Sequence, residues 1–279
     1  MPKGRDVRVN EREFIHDLDS LKPPRRDLFD NQRYAAEGGF GSIVVKQGCS
    51  FRCLYCDGPI AMGRKCRKRS PEKIVDELEI MHNELGINVA FFTDAIFNFP
   101  VEHAKAVCRE IIRRKPGIFW IGTVSPAYLD REIIGLMQEA GCTAVSLGCD
   151  SCSKKMLKVL RKGFTKEQLR AAAEMLEEAG LNYILSLLIG APGEDRATVE
   201  ESVEFVQPLK PFMLDFCVGI RLMPNTELAE IAVKEGVIEA DDPLMEPRFY
   251  VSPLVKDWIE EYLTEVCSHH PTWTLAHRE

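Results

Sequence analysis

The sequence predicts an α/β protein in which six strand and helix units build a parallel sheet covered by helices. Three observations predict it. Near-continuous apolar runs are short enough to be buried strands, amphipathic segments with helical spacing lie between them, and the order strand, helix, strand, helix holds from about residue 42 onward. Of 279 residues, 45% are apolar and 28% charged, enough to bury a sizeable core and too apolar for disorder. At this length one large domain, or one with appendages, is expected.

Residues 1–38 alternate charge with isolated apolar positions, and Pro23 and Pro24 force extended backbone, so an N-terminal arm or linker is expected there. The first strand is Ile43 to Val45. Its helix opens at Ser70 as N-cap with Pro71 in the first position, and Ile74, Val75, Leu78, Met81 and Leu85 give it one apolar face. Strand Val89 to Phe92 precedes a helix whose Ala104, Val107, Cys108, Ile111 and Ile112 share a face. Strand Phe119 to Thr123 leads to a helix from Arg131 to Ala140, stopped by Gly141. Strand Ala144 to Leu147 leads to helices around Lys154 to Leu160 and Lys166 to Ala179. The second has a Thr165 and Gln168 capping box and ends at Gly180. Strands Tyr183 to Ile189 and Leu214 to Ile220 complete the six, with helices near Thr198 to Val206 and Glu227 to Lys234.

The main unit is therefore expected over residues 39–237, with 238–279, which carry Pro243, Pro247 and Pro253, forming a small irregular cap. Periodicity leaves open whether the units close partly into a barrel or open into a doubly wound sheet. In either case ligands collect at the carboxyl ends of the strands.

A formal net charge of −7 excludes the global basic field that holds phosphate backbones, so nucleic acid would need a local patch. No apolar run approaches the roughly 20 residues that span a bilayer, and the start MPKGRDVRVNERE lacks the apolar core of a secretory signal. A soluble, cytoplasmic protein is expected. There, ten cysteines point to metal ligation, redox chemistry or burial rather than disulfides.

Directly after the first strand comes GCSFRCLYCDGP, with Cys49, Cys53 and Cys56 spaced by three and then two residues. Three thiolates on one short loop can take three corners of an iron–sulfur cube and leave the fourth iron open, whereas an electron carrier is normally closed by four cysteines. The competing reading is a zinc knob or buried thiols. Zinc would want a fourth ligand in register, and Cys66 sits beyond a proline in a cationic run.

This CxxxCxxC loop, with Tyr55 before its last cysteine and its place after the first of six βα units, resembles the radical S-adenosylmethionine (SAM) superfamily over about residues 39 to 225. The resemblance implies a partial (β/α)6 TIM-like barrel and a [4Fe-4S] cluster on Cys49, Cys53 and Cys56 whose open iron chelates SAM. It also implies reductive cleavage of SAM to a 5′-deoxyadenosyl radical, in an oxygen-sensitive enzyme. By position it implies SAM contacts from Tyr55, from Thr93 and Asp94 after the second strand, from Ser125 after the third, and from Asp150 and Ser151 after the fourth. Gly190 and Pro192 of IGAPGE after the fifth, and Arg221 after the sixth, complete the set. Read from residues alone, Asp150 with Ser151 could equally cap a helix and Pro192 with Gly193 could be a plain turn.

The flanks, KGFTKEQL followed by LIGAPGED among them, resemble the cobalamin-associated branch, whose members methylate unactivated carbons, form rings or rearrange small substrates. That branch's DxHxxG cobalamin-binding loop does not occur here, so the alternatives are a member that dispenses with cobalamin, one that takes it from a separate cobalamin-binding protein, or a chain trimmed of that domain. The expected partners are a small organic substrate and an acidic electron donor such as flavodoxin or ferredoxin, steered by Arg64, Lys65, Arg67, Lys68 and Arg69; the other reading of that run is a solvated loop. A tRNA methylthiotransferase and a non-catalytic metal or cluster carrier are the alternative functions. Cys149 and Cys152 bracket Asp150 as a CxxC that reads either as a redox pair or as two buried thiols, the latter preferred.

Overall fold

The computed structural model describes residues 13–276. Helix α1 (Asn31–Ala36) precedes strand β1 (Gly41–Ile43), β2 (Lys46–Gln47), α2 (Gly58–Met62), β3 (Arg67–Lys68) and α3 (Pro71–Asn83). Then come β4 (Val89–Phe92), α4 (Val101–Arg114), β5 (Phe119–Val124), α5 (Arg131–Glu139), β6 (Cys142–Asp150), α6 (Lys154–Val159) and α7 (Lys166–Ala179). The chain continues through β7 (Asn182–Ile189), α8 (Arg196–Val206), β8 (Met213–Val218), β9 (Ile220–Arg221) and α9 (Glu227–Lys234). It closes with β10 (Phe249–Tyr250), α10 (Ile259–Ser268) and β11 (Trp273–Ala276).

The main sheet has seven strands in the order β1-β4-β5-β6-β7-β8-β11, every pair parallel. The first and last strands do not pair, so the sheet is an open arc, the partial barrel implied by the resemblance. The C-terminal stretch contributes to this arc. Residues 273–276 pair with 214–217 of β8 and extend the sheet by a seventh strand. A sequence reading of six units missed it because the strand is short and follows a proline.

Along the central strands β4 to β8 one face is buried under helices and the other is largely half-buried. In β7, Tyr183, Leu185, Leu187 and Ile189 are at 1% exposure or less, while Ile184, Ser186 and Leu188 alternate with them on the inner face. The outer layer holds large side chains such as Trp120, stacked on Phe92 at 4.5 Å with its indole N–H donating to the Ala140 carbonyl oxygen at 2.8 Å. On the inner face the small residues Thr123, Ser146, Gly148 and Ser186 sit together and leave space inside the arc.

Local signals fix the helix ends as expected. Ser70 accepts from the Lys73 N–H, Thr165 and Gln168 form the capping box, and Gly180 ends α7 with φ +69°. Asp195 and Thr198 form a second capping box at α8.

The described part of the N-terminal arm lies against the barrel. Leu18 is buried, Asp19 accepts from the Ser70 N–H at 3.0 Å, and Arg26 joins Arg69 on Glu77, whose side chain is 2% exposed. The cationic run therefore divides. Arg67 and Arg69 are structural, the former donating to the carbonyl oxygens of Ile15 and Met62, while Arg64, Lys65 and Lys68 stay exposed.

Candidate active site

The cysteine loop crosses the carboxyl end of the sheet and is held by backbone. The Cys49 N–H donates to the Gly63 carbonyl oxygen at 2.9 Å, and the Leu54 N–H to that of Leu160 at 3.2 Å. Gly48 sets the entry into the loop. Its φ is +95°, and a Cβ there would stand 2.2 Å from the Lys65 carbonyl oxygen, so no other residue fits.

Cys49, Cys53 and Cys56 all line one cavity of about 270 Å³, and among the described residues its wall carries no further cysteine and no histidine. Among the described residues no three His, Cys, Asp or Glu side chains converge tightly enough to hold a single metal ion. Three thiolates on one cavity wall can each hold a different iron of a cube and leave one corner without a protein ligand. Burial pushes the Cys53 and Cys56 thiols up, with the neighbouring thiols adding to it and the Lys162 ammonium opposing. As bare thiols they are protonated at neutral pH, so a cationic group must draw the protons off.

Across from the thiols stand Asp150 and Lys162. Strand β6 carries an extra residue at its end, because Leu147 pairs with Leu185 while Asp150 pairs with Leu187, and Asp150 takes φ +59°. The Tyr55 hydroxyl and Lys162 Nζ, the latter at 2.7 Å, both donate to Asp150 Oδ2. Oδ1 has no protein donor among the described residues, so it remains an acceptor for a ligand. Burial works to lower the Lys162 pKa, but Asp150 and Cys53 outweigh it, and the ammonium keeps its proton. Burial, then Asp150, drives the Tyr55 pKa up, so the phenol remains a donor.

The floor comes from the inner face of the sheet: Thr123 of β5, Ser146 and Gly148 of β6, and Ser186 of β7, with Thr123 opposite Ser146 in register. Phe51 and Phe164 supply apolar wall. A cavity with an apolar wall, one carboxylate acceptor and one buried cation has the chemistry for a zwitterionic nucleoside beside the thiols.

The expected residues do not all meet here. Tyr55, Ser125, Asp150 and the three cysteines line the cavity; Thr93, Asp94, Ser151, Gly190, Pro192 and Arg221 do not. Asp94 turns back to accept from the N–H groups of Val45 and Lys46 at 3.2 and 2.8 Å, and Thr93 donates to the Ile43 carbonyl oxygen. Ser151 is fully buried and receives the Ser153 N–H at the start of α6. Gly190 lies in a turn whose N–H groups are taken by Glu194, with Pro192 inside it, and Arg221 is exposed on the two-stranded β9 and β10 ribbon. Cys149 and Cys152 are both at 0% exposure, with the Cys149 thiol on the Ser186 carbonyl oxygen at 3.3 Å. Sequence reasoning missed Lys162, Phe164, Gly148 and Ser186 as wall residues. The signals were present: a lysine in KGFTKEQL next to a glycine, and lone small or polar residues inside apolar strands.

The Radical SAM superfamily profile matches residues 43–206. A tryptophan 2-C-methyltransferase of Streptomyces laurentii is 32% identical over 72% of this chain and 36% of its own length. An uncharacterized methyltransferase of Pyrococcus horikoshii is 27% identical over 93% of this chain and 61% of its own. The chain thus spans less than two thirds of these relatives. The structure of the radical SAM methyltransferase TsrM from Kitasatospora setae, with cobalamin and a [4Fe-4S] cluster bound, superposes with a TM-score of 0.79 at 26% identity, covering 88% of this chain and 56% of that one. With the profile running through the first five strands of the arc, the cysteine loop and the Asp150 wall, the chain belongs to the radical SAM superfamily.

Proposed function

We propose that Cys49, Cys53 and Cys56 hold a [4Fe-4S] cluster, that SAM binds beside it in the same cavity, and that the enzyme methylates or rearranges a small organic substrate. One observation carries this reading: the three thiols of one loop share a cavity with the Tyr55, Asp150 and Lys162 cluster. When bound, the cluster and SAM together supply reductive cleavage of a sulfonium C–S bond. The chain's own residues bind and orient. Asp150 Oδ1 accepts from ribose hydroxyls, the Lys162 ammonium faces the ligand's carboxylate, and Phe51 and Phe164 exclude water from the reacting atoms. Ser125 and the small inner residues Gly148 and Ser186 leave room for the nucleoside.

Methyl transfer is favoured over methylthiolation of tRNA by the relatives, and over a cluster carrier by a cavity that extends well beyond the thiols. Cobalamin is present in the TsrM structure, of which this chain spans 56%, and no DxHxxG sequence occurs in this chain. Among the described residues no helix is long and apolar enough to cross a membrane. We place the protein in a reducing cytoplasm, where thiols that must hold iron stay free.

The test is anaerobic: iron-reconstituted protein, a reductant and SAM, with and without added cobalamin, scored for 5′-deoxyadenosine and S-adenosylhomocysteine. Wild type is expected to release 5′-deoxyadenosine and Cys53→Ala to release none. Equal product from both proteins would refute the assignment.

A further inference from the structure

Asp215 of β8 is a charge on the inner face that the site described above does not use. It is half-buried and pairs in register with Ser186 of β7 on one side and with Thr274 of β11 on the other. Leu214, Phe216 and Val218 bury themselves on the outer face, so the alternation of the strand turns Asp215 and Cys217 into the arc. Thr274 donates its hydroxyl proton to Asp215 Oδ1. Among the described residues Oδ2 has no donor and the carboxylate has no ion pair.

This carboxylate continues the floor of the cavity by one strand. Thr123, Ser146 and Ser186 line that cavity, and their hydroxyls have no protein partner among the described residues. Burial first, then Asp215 and Asp150, pushes the Cys217 thiol up, so both carboxylates border the space that Cys217 faces. Asp150 has its cation in Lys162. Asp215 has none, and a half-buried charge without a partner favours a cationic ligand.

Resting on the SAM site assigned above, we infer that the organic substrate is a protonated primary amine with an apolar body, its ammonium on Asp215 Oδ2 with the Ser186 hydroxyl beside it. An ammonium brings three N–H donors and no acceptor, which suits a carboxylate flanked by hydroxyl oxygens. An alcohol could share the hydrogen bond but would leave the charge unbalanced, and a carboxylate would be repelled. The apolar body lies against Phe51, which lines the cavity and packs on Phe99 at 5.4 Å and Tyr128 at 6.1 Å. Anchoring the charged end on β8 fixes which carbon is presented toward the cysteine loop.

The probes share a phenyl body and differ in the head group: phenethylamine, 2-phenylethanol and phenylacetate. Each is titrated calorimetrically into iron-reconstituted, SAM-loaded protein under anaerobic conditions, near neutral pH and without reductant. Phenethylamine is expected to bind at least about tenfold more tightly than 2-phenylethanol, and phenylacetate more weakly than either. Asp215→Asn, which keeps an acceptor for Thr274, is expected to abolish the preference for the amine, with iron content and SAM affinity by equilibrium dialysis unchanged. Asp215→Glu, which restores the charge, is expected to restore the preference. Equal binding of amine and alcohol by wild type, tighter binding of phenylacetate, no binding of any probe, or an unaltered preference in Asp215→Asn overturns the inference while SAM binding and 5′-deoxyadenosine release stand. A wild-type protein that takes up no cluster or binds no SAM overturns the reading on which the inference rests.

Discussion

Lys162 Nζ stands 2.7 Å from Asp150 Oδ2, with both side chains only 11 to 12% exposed. They come from different elements, Asp150 from the bulged end of β6 and Lys162 from the turn after α6, and they meet over the cysteine loop. At that depth neither charge has water enough to stand alone.

Lys162→Met leaves Asp150 as an uncompensated buried carboxylate with Tyr55 as its remaining donor. Breaking one side of such a pair costs about 3–5 kcal/mol, so a clear drop in Tm is expected, together with at least about tenfold weaker SAM binding. Adding Asp150→Asn removes the orphaned charge, suits the backbone at φ +59° and keeps an acceptor for the Tyr55 hydroxyl. The double variant is expected to regain most of the Tm and none of the SAM affinity. Thermal unfolding and equilibrium dialysis with labelled SAM separate the two effects, and recovery of binding in the double variant would contradict the assigned roles.

Gly48→Ala tests the geometry that presents the cysteines. A Cβ at this position meets the Lys65 carbonyl oxygen at 2.2 Å, and the backbone sits at φ +95°, where a side chain is strained in any case. The loop must shift to admit it. The expected outcome is a chain that remains folded by circular dichroism yet takes up much less iron and sulfide on reconstitution. Full iron content would show that the loop tolerates the shift.

Gly148→Leu tests the opposite situation. A Cβ on Gly148 makes only ordinary contacts, 3.7 Å to Thr123 Cγ2, and its φ lies outside the left-handed region. The rest of the leucine enters the cavity of about 270 Å³ that Gly148 lines. Tm is expected to stay within a few degrees of wild type, as is usual when no packed group is displaced. SAM affinity is expected to fall by about tenfold or more, because the occupied volume is the ligand's. Unaltered dialysis binding would place the nucleoside elsewhere.

What the sequence made legible was local chemistry: Ser70, Thr165 with Gln168 and Gly180 mark helix ends wherever they occur, and three cysteines within eight residues keep their meaning without any fold. What it concealed depended on distance. A lysine after a helix reads as solvated, and Lys162 is buried where residue 150 reaches it from the end of β6. Asp94 reads as a rim carboxylate after β4, yet the Val45 and Lys46 N–H groups, 49 and 48 residues away, capture it first. Arg67 and Arg69 look like part of a uniform basic run until the arm supplies the Ile15 carbonyl oxygen to one, while Glu77 of α3 takes the other. In each case the competing donor or acceptor belongs to a segment that sequence neighbours do not reveal.

Glu194 gives the fold a pH dependence of its own. Its side chain is fully buried; one carboxyl oxygen accepts from the Gly190 and Ala191 N–H groups, the latter at 3.0 Å, while Oε1 has no partner. Burial, partly offset by those two N–H groups, raises its pKa from 4.5 to about 7. A carboxyl whose folded pKa is raised holds its proton in the native state after the unfolded chain has lost it. Stability therefore falls as pH rises from about 4.5 to about 7 and is level above that. The span corresponds to a loss on the order of 3 kcal/mol. Glu194→Gln keeps an acceptor for both N–H groups and cannot ionise. Urea unfolding from pH 4.5 to pH 8 is expected to show a declining midpoint for wild type and a smaller decline for Glu194→Gln, with the two proteins diverging most from about pH 7 upward. Parallel profiles would mean that the carboxyl is solvated in the folded state, and that the turn tying β7 to Ser252, whose N–H donates to the Gly190 carbonyl oxygen at 2.8 Å, opens to water.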